Sequence, residues 1–130
     1  MILLDTIGEL SSLYSLATLV FVGGSVSPTG GHNILEPAAV GSAIITGPHT
    51  FNFADITRDF VKANAIVQLS SGNLRESKEE LSAAINDLLS NEAHRIELQK
   101  KAKDLVQRNL GATERTIGYL NSLLMGSSEK

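Results

Sequence analysis

Two short runs decide the fold: Leu19-Val20-Phe21-Val22, stopped by Gly23-Gly24-Ser25, and Ala43-Ile44-Ile45-Thr46, stopped by Gly47-Pro48. Each is a strand-length stretch rich in β-branched or aromatic residues, ended by residues that turn the chain. The first is apolar without a break, which predicts a strand covered on both faces, as in a parallel sheet; the second reads as the next strand. Between them, residues 33–40 read as a short helix closed by Gly41. Working outward, residues 52–64 form a helical stretch with Ile56, Phe60 and Val61 on one side, and Ile66-Val67-Gln68-Leu69 reads as a further strand. Upstream, Ile2-Leu3-Leu4 is a possible strand, residues 5–8 a turn, and residues 9–17 a helix whose Leu10, Leu13, Tyr14 and Ala17 share one face. The sum is an α/β layer with a parallel sheet of about four strands and flanking helices.

The second half is richer in leucine, lysine and glutamate, and all three prolines lie before it. Ser77 with Glu80 has the spacing of a capping box, followed by a stripe of Leu81, Ile85, Leu88 and Leu89. Asn91 can cap the next helix, whose stripe is Leu98, Ala102, Leu105 and Val106. Gly111 is expected to end it, and Ile117, Leu120, Leu123 and Leu124 line a last helix. One domain over residues 1–125 and a frayed tail over 126–130 are expected.

The 130 residues are 42% hydrophobic and 19% charged, with a formal net charge of −3. That composition fits a soluble globular domain and argues against disorder. The acidic balance and the scarcity of aromatics make nucleic acid an improbable partner. With no cysteine there is no disulfide, thiolate metal site or cysteine nucleophile. The start, Met1-Ile2-Leu3-Leu4-Asp5, lacks the basic flank of a secretory signal. No uncharged apolar run approaches the roughly 18 residues of a membrane helix.

Sites in parallel sheets lie beyond the carboxyl ends of the strands, which here means residues 5–9, 23–36 and 47–53. The strongest signal is Gly23-Gly24-Ser25 followed by Gly30-Gly31-His32-Asn33-Ile34-Leu35-Glu36-Pro37. A glycine pair at a helix start lets a ligand approach open backbone N–H groups, which suit a phosphate. Glu36 could accept hydrogen bonds from two neighbouring hydroxyls, such as a ribose diol. Equally, the glycines can serve tight turns alone and Glu36 can be an acid complementing the helix dipole. Walker A, dinucleotide-fold and nucleophile-elbow signatures are all absent. His32 and His49 lie in site loops, as ligand donors or as caps for loop carbonyls. His94 reads as solvent-facing, and the three histidines make no metal set. Ile7-Gly8-Glu9 begins a helix beyond a strand end, where Gly8 leaves room for a ring or simply starts the turn.

Taken in order, Asp5-Thr6-Ile7-Gly8-Glu9-Leu10, Phe21-Val22-Gly23-Gly24-Ser25, residues 30–39, Gly47-Pro48-His49-Thr50-Phe51-Asn52-Phe53 and Gly111-Ala112-Thr113-Glu114-Arg115 resemble the C-terminal domain of 3-deoxy-D-manno-octulosonic acid (Kdo) transferases. The resemblance spans nearly the whole chain and implies a Rossmann-like half of a two-domain (GT-B) glycosyltransferase fold. Such enzymes move Kdo from CMP-Kdo to lipid A precursor at the cytoplasmic face of the bacterial inner membrane, in lipopolysaccharide biosynthesis. The implied donor site is Ile7, Gly8 and Glu9 on one side and Gly31, His32, Asn33, Ile34, Leu35 and Glu36 on the other. Glu36 would hold the ribose, and the N–H groups of residues 31–33 would face the phosphate. The implied reaction is a metal-independent inverting displacement with no cofactor and no metal ligand.

The family's acceptor-binding domain, which carries the carboxylate base, and its first two C-terminal strands have no counterpart in these residues. The expectation is therefore a fragment truncated on its N-terminal side, with no catalytic residue of its own and no activity alone. Asp5 and Glu9 match donor-side positions rather than a base. Ile2-Leu3-Leu4 is expected to pair with the exposed edge of residues 19–22, in a soluble fragment that is a monomer or a weak edge-strand dimer. Two other readings are a UDP-sugar-binding GT-B subunit and a non-catalytic α/β interaction module.

Overall fold

The computed structural model describes residues 8–126. Its centre is a parallel sheet of β1 (Leu19–Val22), β2 (Ala43–Thr46) and β3 (Val67–Gln68), in the order β1-β2-β3. Leu19 pairs with Ala43 and Val22 with Thr46, while Ile45 pairs with Val67 and Thr46 with Gln68. The third strand is two residues shorter than expected, although the Leu69 amide still donates to the Thr46 carbonyl at 2.8 Å. The described sheet thus has three strands. The fourth expected strand, Ile2-Leu3-Leu4, lies outside the described residues, and so does the pairing predicted for it.

Alternation along the strands sorts side chains onto two faces. Val22 and Ile44 join Ile34, Ala38, Phe60, Ile66, Ala102 and Val106 in one core, with Val20 packed beside them. Ala43 and Ile45 join Leu69, Leu88 and Leu98 in the other, backed by Leu19 and Phe21. All four β2 residues are buried, as strands covered on both faces require.

The helices are α1 (Leu10–Tyr14), α2 (Leu35–Val40), α3 (Ala54–Lys62), α4 (Leu74–Ser90) and α5 (Glu92–Gly126). Several boundaries differ from the sequence reading. α1 is five residues long with none buried, and Leu10 and Leu13 of the expected stripe are 50% and 43% exposed. Its apolar spacing therefore does not mark a core-facing stripe. α4 begins before Ser77, because Asn73 caps it by accepting from the Arg75 amide at 3.0 Å. Ser77 and Glu80 form no capping box. The Ser77 hydroxyl donates to the Ser71 carbonyl at 2.5 Å, and Glu80 accepts from the Ser70 amide at 2.7 Å. Leu89 leaves the expected stripe and is exposed, while Leu88 is fully buried.

Asn91 does cap α5, through the His94 amide at 3.1 Å. The helix then runs through Gly111 without ending there. Glycine inside a helix costs about 1 kcal/mol relative to alanine, a penalty that does not by itself force a break. Among the described residues no separate last helix exists, and Gly126 belongs to α5. The rest of the expected tail lies outside the described residues. No described helix is long and apolar enough to cross a membrane.

Candidate functional site

The loops after β1 and β2 are clasped together. Ser25, fully buried, donates to the Val22 carbonyl and accepts from the Gly47 amide at 2.5 Å, tying the two strand ends. The His49 amide donates to the Ser25 carbonyl at 2.9 Å. Gly47 packs so closely on Ser25 and Val26 that a side chain has no room. Gly30, at φ +92°, lies against Phe51 and Asn52. An added Cβ would come within 2.6 Å of both side chains. The Asn52 amide donates to the Gly30 carbonyl at 3.2 Å and its side chain to the Thr29 carbonyl at 3.0 Å. The glycine-rich segment and the Gly47–Phe53 segment are therefore one unit of structure.

Asn33 lies outside α2. Its side-chain oxygen accepts from the Leu35 amide at 2.9 Å, an Asx-type turn that delays the helix by two residues. Pro37 sits in the first turn, where its missing N–H has no helical partner to lose. Ile34 is in the core and Leu35 packs against it, so what these two offer a ligand is backbone. Glu36, on the opposite side of the same turn, is exposed and accepts from the Ser11 hydroxyl at 2.8 Å.

This arrangement opens a cleft of about 480 Å³ along β1 and beyond its carboxyl end. Among the predicted site residues it brings together His32, Asn33 and Glu36, beside Leu10, Tyr14 and Gly23. Gly8, at φ +100°, and Glu9 precede α1 and are exposed, outside that lining. Ile7 lies outside the described residues. Gly31 is buried and its amide donates to the Gly24 carbonyl at 3.3 Å. Of the three amides assigned to a phosphate, only those of His32 and Asn33 make no hydrogen bond to a described residue.

The histidines separate cleanly. The His32 ring lies on Gly24 and faces the cleft, whereas the His49 ring lies on Gly72. His94 is half-exposed, with Nδ1 at 2.6 Å from Asp87. No group of three metal-ligating side chains exists among the described residues. Tyr14 and Ser11 were not legible as site residues. Tyr14 read only as part of an apolar stripe, and Ser11 faces Glu36 across 25 residues of sequence. Burial first, and then the charge of Glu36, push the Tyr14 phenol above its usual range.

A parallel sheet with a glycine turn, a buried serine brace and an acidic residue in the first turn of the following helix makes a Rossmann-like domain. Comparison with known proteins narrows this further. No family model matches the chain. It is 36% identical over 123 residues to the 3-deoxy-D-manno-octulosonic acid transferase of Haemophilus influenzae, covering 95% of this chain and 28% of that protein. The Bordetella pertussis enzyme of the same name is also 36% identical, with 92% and 27% covered. The crystal structure of the C-terminal CMP-Kdo binding domain of WaaA from Acinetobacter baumannii superposes with a TM-score of 0.67 at 32% identity. It covers 80% of this chain and 51% of that one. The chain is thus similar in sequence to Kdo transferases, spans little more than a quarter of the length of these two curated relatives, and shares its fold with the C-terminal domain of the Acinetobacter baumannii protein.

Proposed function

We propose that this chain binds the CMP moiety of CMP-Kdo and forms the donor side of a Kdo transferase acting on lipid A precursor, at the cytoplasmic face of the inner membrane. The observation that carries the reading is the cleft beyond β1, where Glu36, Asn33 and His32 converge with open backbone amides. In this reading Glu36 accepts from the ribose diol, at the end of the cleft formed with α1. The His32 and Asn33 amides meet the phosphate. Transfer forms a bond from an acceptor hydroxyl oxygen, whose proton passes to the base, to the anomeric carbon, and breaks that carbon's bond to the phosphate oxygen, so that the electron pair leaves with CMP. Fixed N–H donors aimed at that oxygen favour the charge that develops there. The chemistry is a metal-independent inverting displacement, with the base and the lipid site supplied from outside these residues.

A titration followed by backbone amide shifts tests the reading. CMP is expected to shift residues 7–9 and 32–36 with millimolar affinity, about −4 kcal/mol, and UMP to bind more weakly. Silence at both segments under saturating CMP would remove the donor-site assignment, and an equal response to UMP would favour a UDP-sugar enzyme.

A further inference from the structure

Glu36 is exposed, and a glutamate side chain in water samples several rotamers. Here one carboxylate oxygen, Oε2, is held by the Ser11 hydroxyl at 2.8 Å. The other, Oε1, accepts no hydrogen bond from a described residue. Ser11 stands on α1, one turn before Tyr14, which lines the cleft beside Glu36.

α1 has no buried residue and no side-chain cap, so little hydrophobic packing holds it. Its attachment to the domain includes a second serine bond. The hydroxyl of Ser42, a residue 2% exposed between α2 and β2, donates to the Tyr14 carbonyl at 2.9 Å. The end of α1 is thus tied to a buried anchor, and Ser11 is presented to Glu36 from a fixed point.

Resting on the CMP reading above, we propose that Ser11 is a positioning residue. It immobilises the Glu36 carboxylate through Oε2, so that Oε1 is aimed into the cleft for the ribose hydroxyls. Ser11 touches no ligand itself. Its effect on binding reaches only ligands that carry the diol Glu36 recognises, which distinguishes it from a residue that merely shapes the wall.

The test uses the 130-residue chain with two probes, CMP and 2′,3′-dideoxycytidine monophosphate, titrated against the natural sequence, Ser11→Ala and Ser11→Thr. The natural sequence is expected to prefer CMP. Ser11→Ala is expected to weaken CMP about fivefold, the cost of ordering one flexible side chain at binding, and to leave the dideoxy nucleotide unchanged. Ser11→Thr keeps the hydroxyl and is expected to restore CMP binding to within about twofold. An unchanged CMP affinity in Ser11→Ala would overturn the proposal, and so would an equal loss for both nucleotides, which would make Ser11 a support for α1 only. If the natural sequence binds both nucleotides equally, the diol-binding role of Glu36 fails first and takes the proposal with it.

Discussion

Two residues carry opposite kinds of demand. Gly30 is required for what it lacks: its φ of +92° and the nearness of Asn52 and Phe51 leave a side chain neither conformation nor space. Gly30→Ala is expected to destabilise the domain by about 2 kcal/mol or more through backbone strain. A shift of the urea midpoint by less than half of that would show that the clasp gives way cheaply. Glu36 is proposed to matter for what it offers. Glu36→Ala in a full-length enzyme removes a charged acceptor from two hydroxyls and is expected to cost roughly 1.5–3 kcal/mol of donor binding. An unchanged KM for CMP-Kdo, with the fold intact by circular dichroism, would return Glu36 to the role of dipole partner. That His32, Asn33 and Glu36 would line one cleft was legible because a glycine pair before a helix has a physical reason to exist. Ser11 was not, because a serine in an exposed stretch carries no local signal of a partner on another helix.

Among the elements, β1 and β2 were readable, as were the stop at Gly41 and the cap at Asn91, while the start of α4 and the run of α5 through Gly111 were not. Unbroken apolar runs with glycine stops identify β1 and β2 because both faces of this sheet are covered. Leu10, Leu13, Tyr14 and Ala17 share the spacing of a core stripe, yet spacing reports what a helix could bury and not whether a surface awaits it. Ser77 and Glu80 mimic a capping box because their side chains do bond backbone, only to the chain before the helix. The Ser70 hydroxyl, then the Ser70 amide and the Ser71 amide, hold the Glu80 carboxyl below its usual range. A carboxyl whose folded pKa is depressed stabilises the fold above its unfolded value, and that contribution is lost as pH falls through the folded value. Acidification from about pH 6 to about pH 3 is therefore expected to release the Ser70 and Ser71 amides while β1 and β2 stay protected. Hydrogen exchange at those two amides reads the change, and Glu80→Gln should abolish its pH dependence. Loss of protection at Ser70 and Ser71 only together with β2 would mean that Glu80 does not govern this loop.

At the scale of the molecule, the proposed reading gives this domain the donor cleft and assigns the base and acceptor site to other residues. A positioned general base contributes about 10²–10⁴-fold in rate. The 130-residue chain alone is accordingly expected to bind CMP and to form no product from CMP-Kdo and lipid A precursor. Detectable transfer by the purified chain would place a base within these residues and reopen the roles of Asp5 and Glu9.

The two cores share one late element. Leu98 packs below the sheet with Leu88, while Ala102 and Val106, one and two turns further along α5, pack above it with Ile44 and Phe60. Ribosomes deliver a chain from its N-terminus at about 5–20 residues per second. Until residues 98–106 have emerged, β1, β2 and β3 have no complete cover on either face, and their apolar side chains stand open to water. Closure of both faces of the sheet during synthesis therefore waits on residues 98–106, more than fifty residues after β2 has been made.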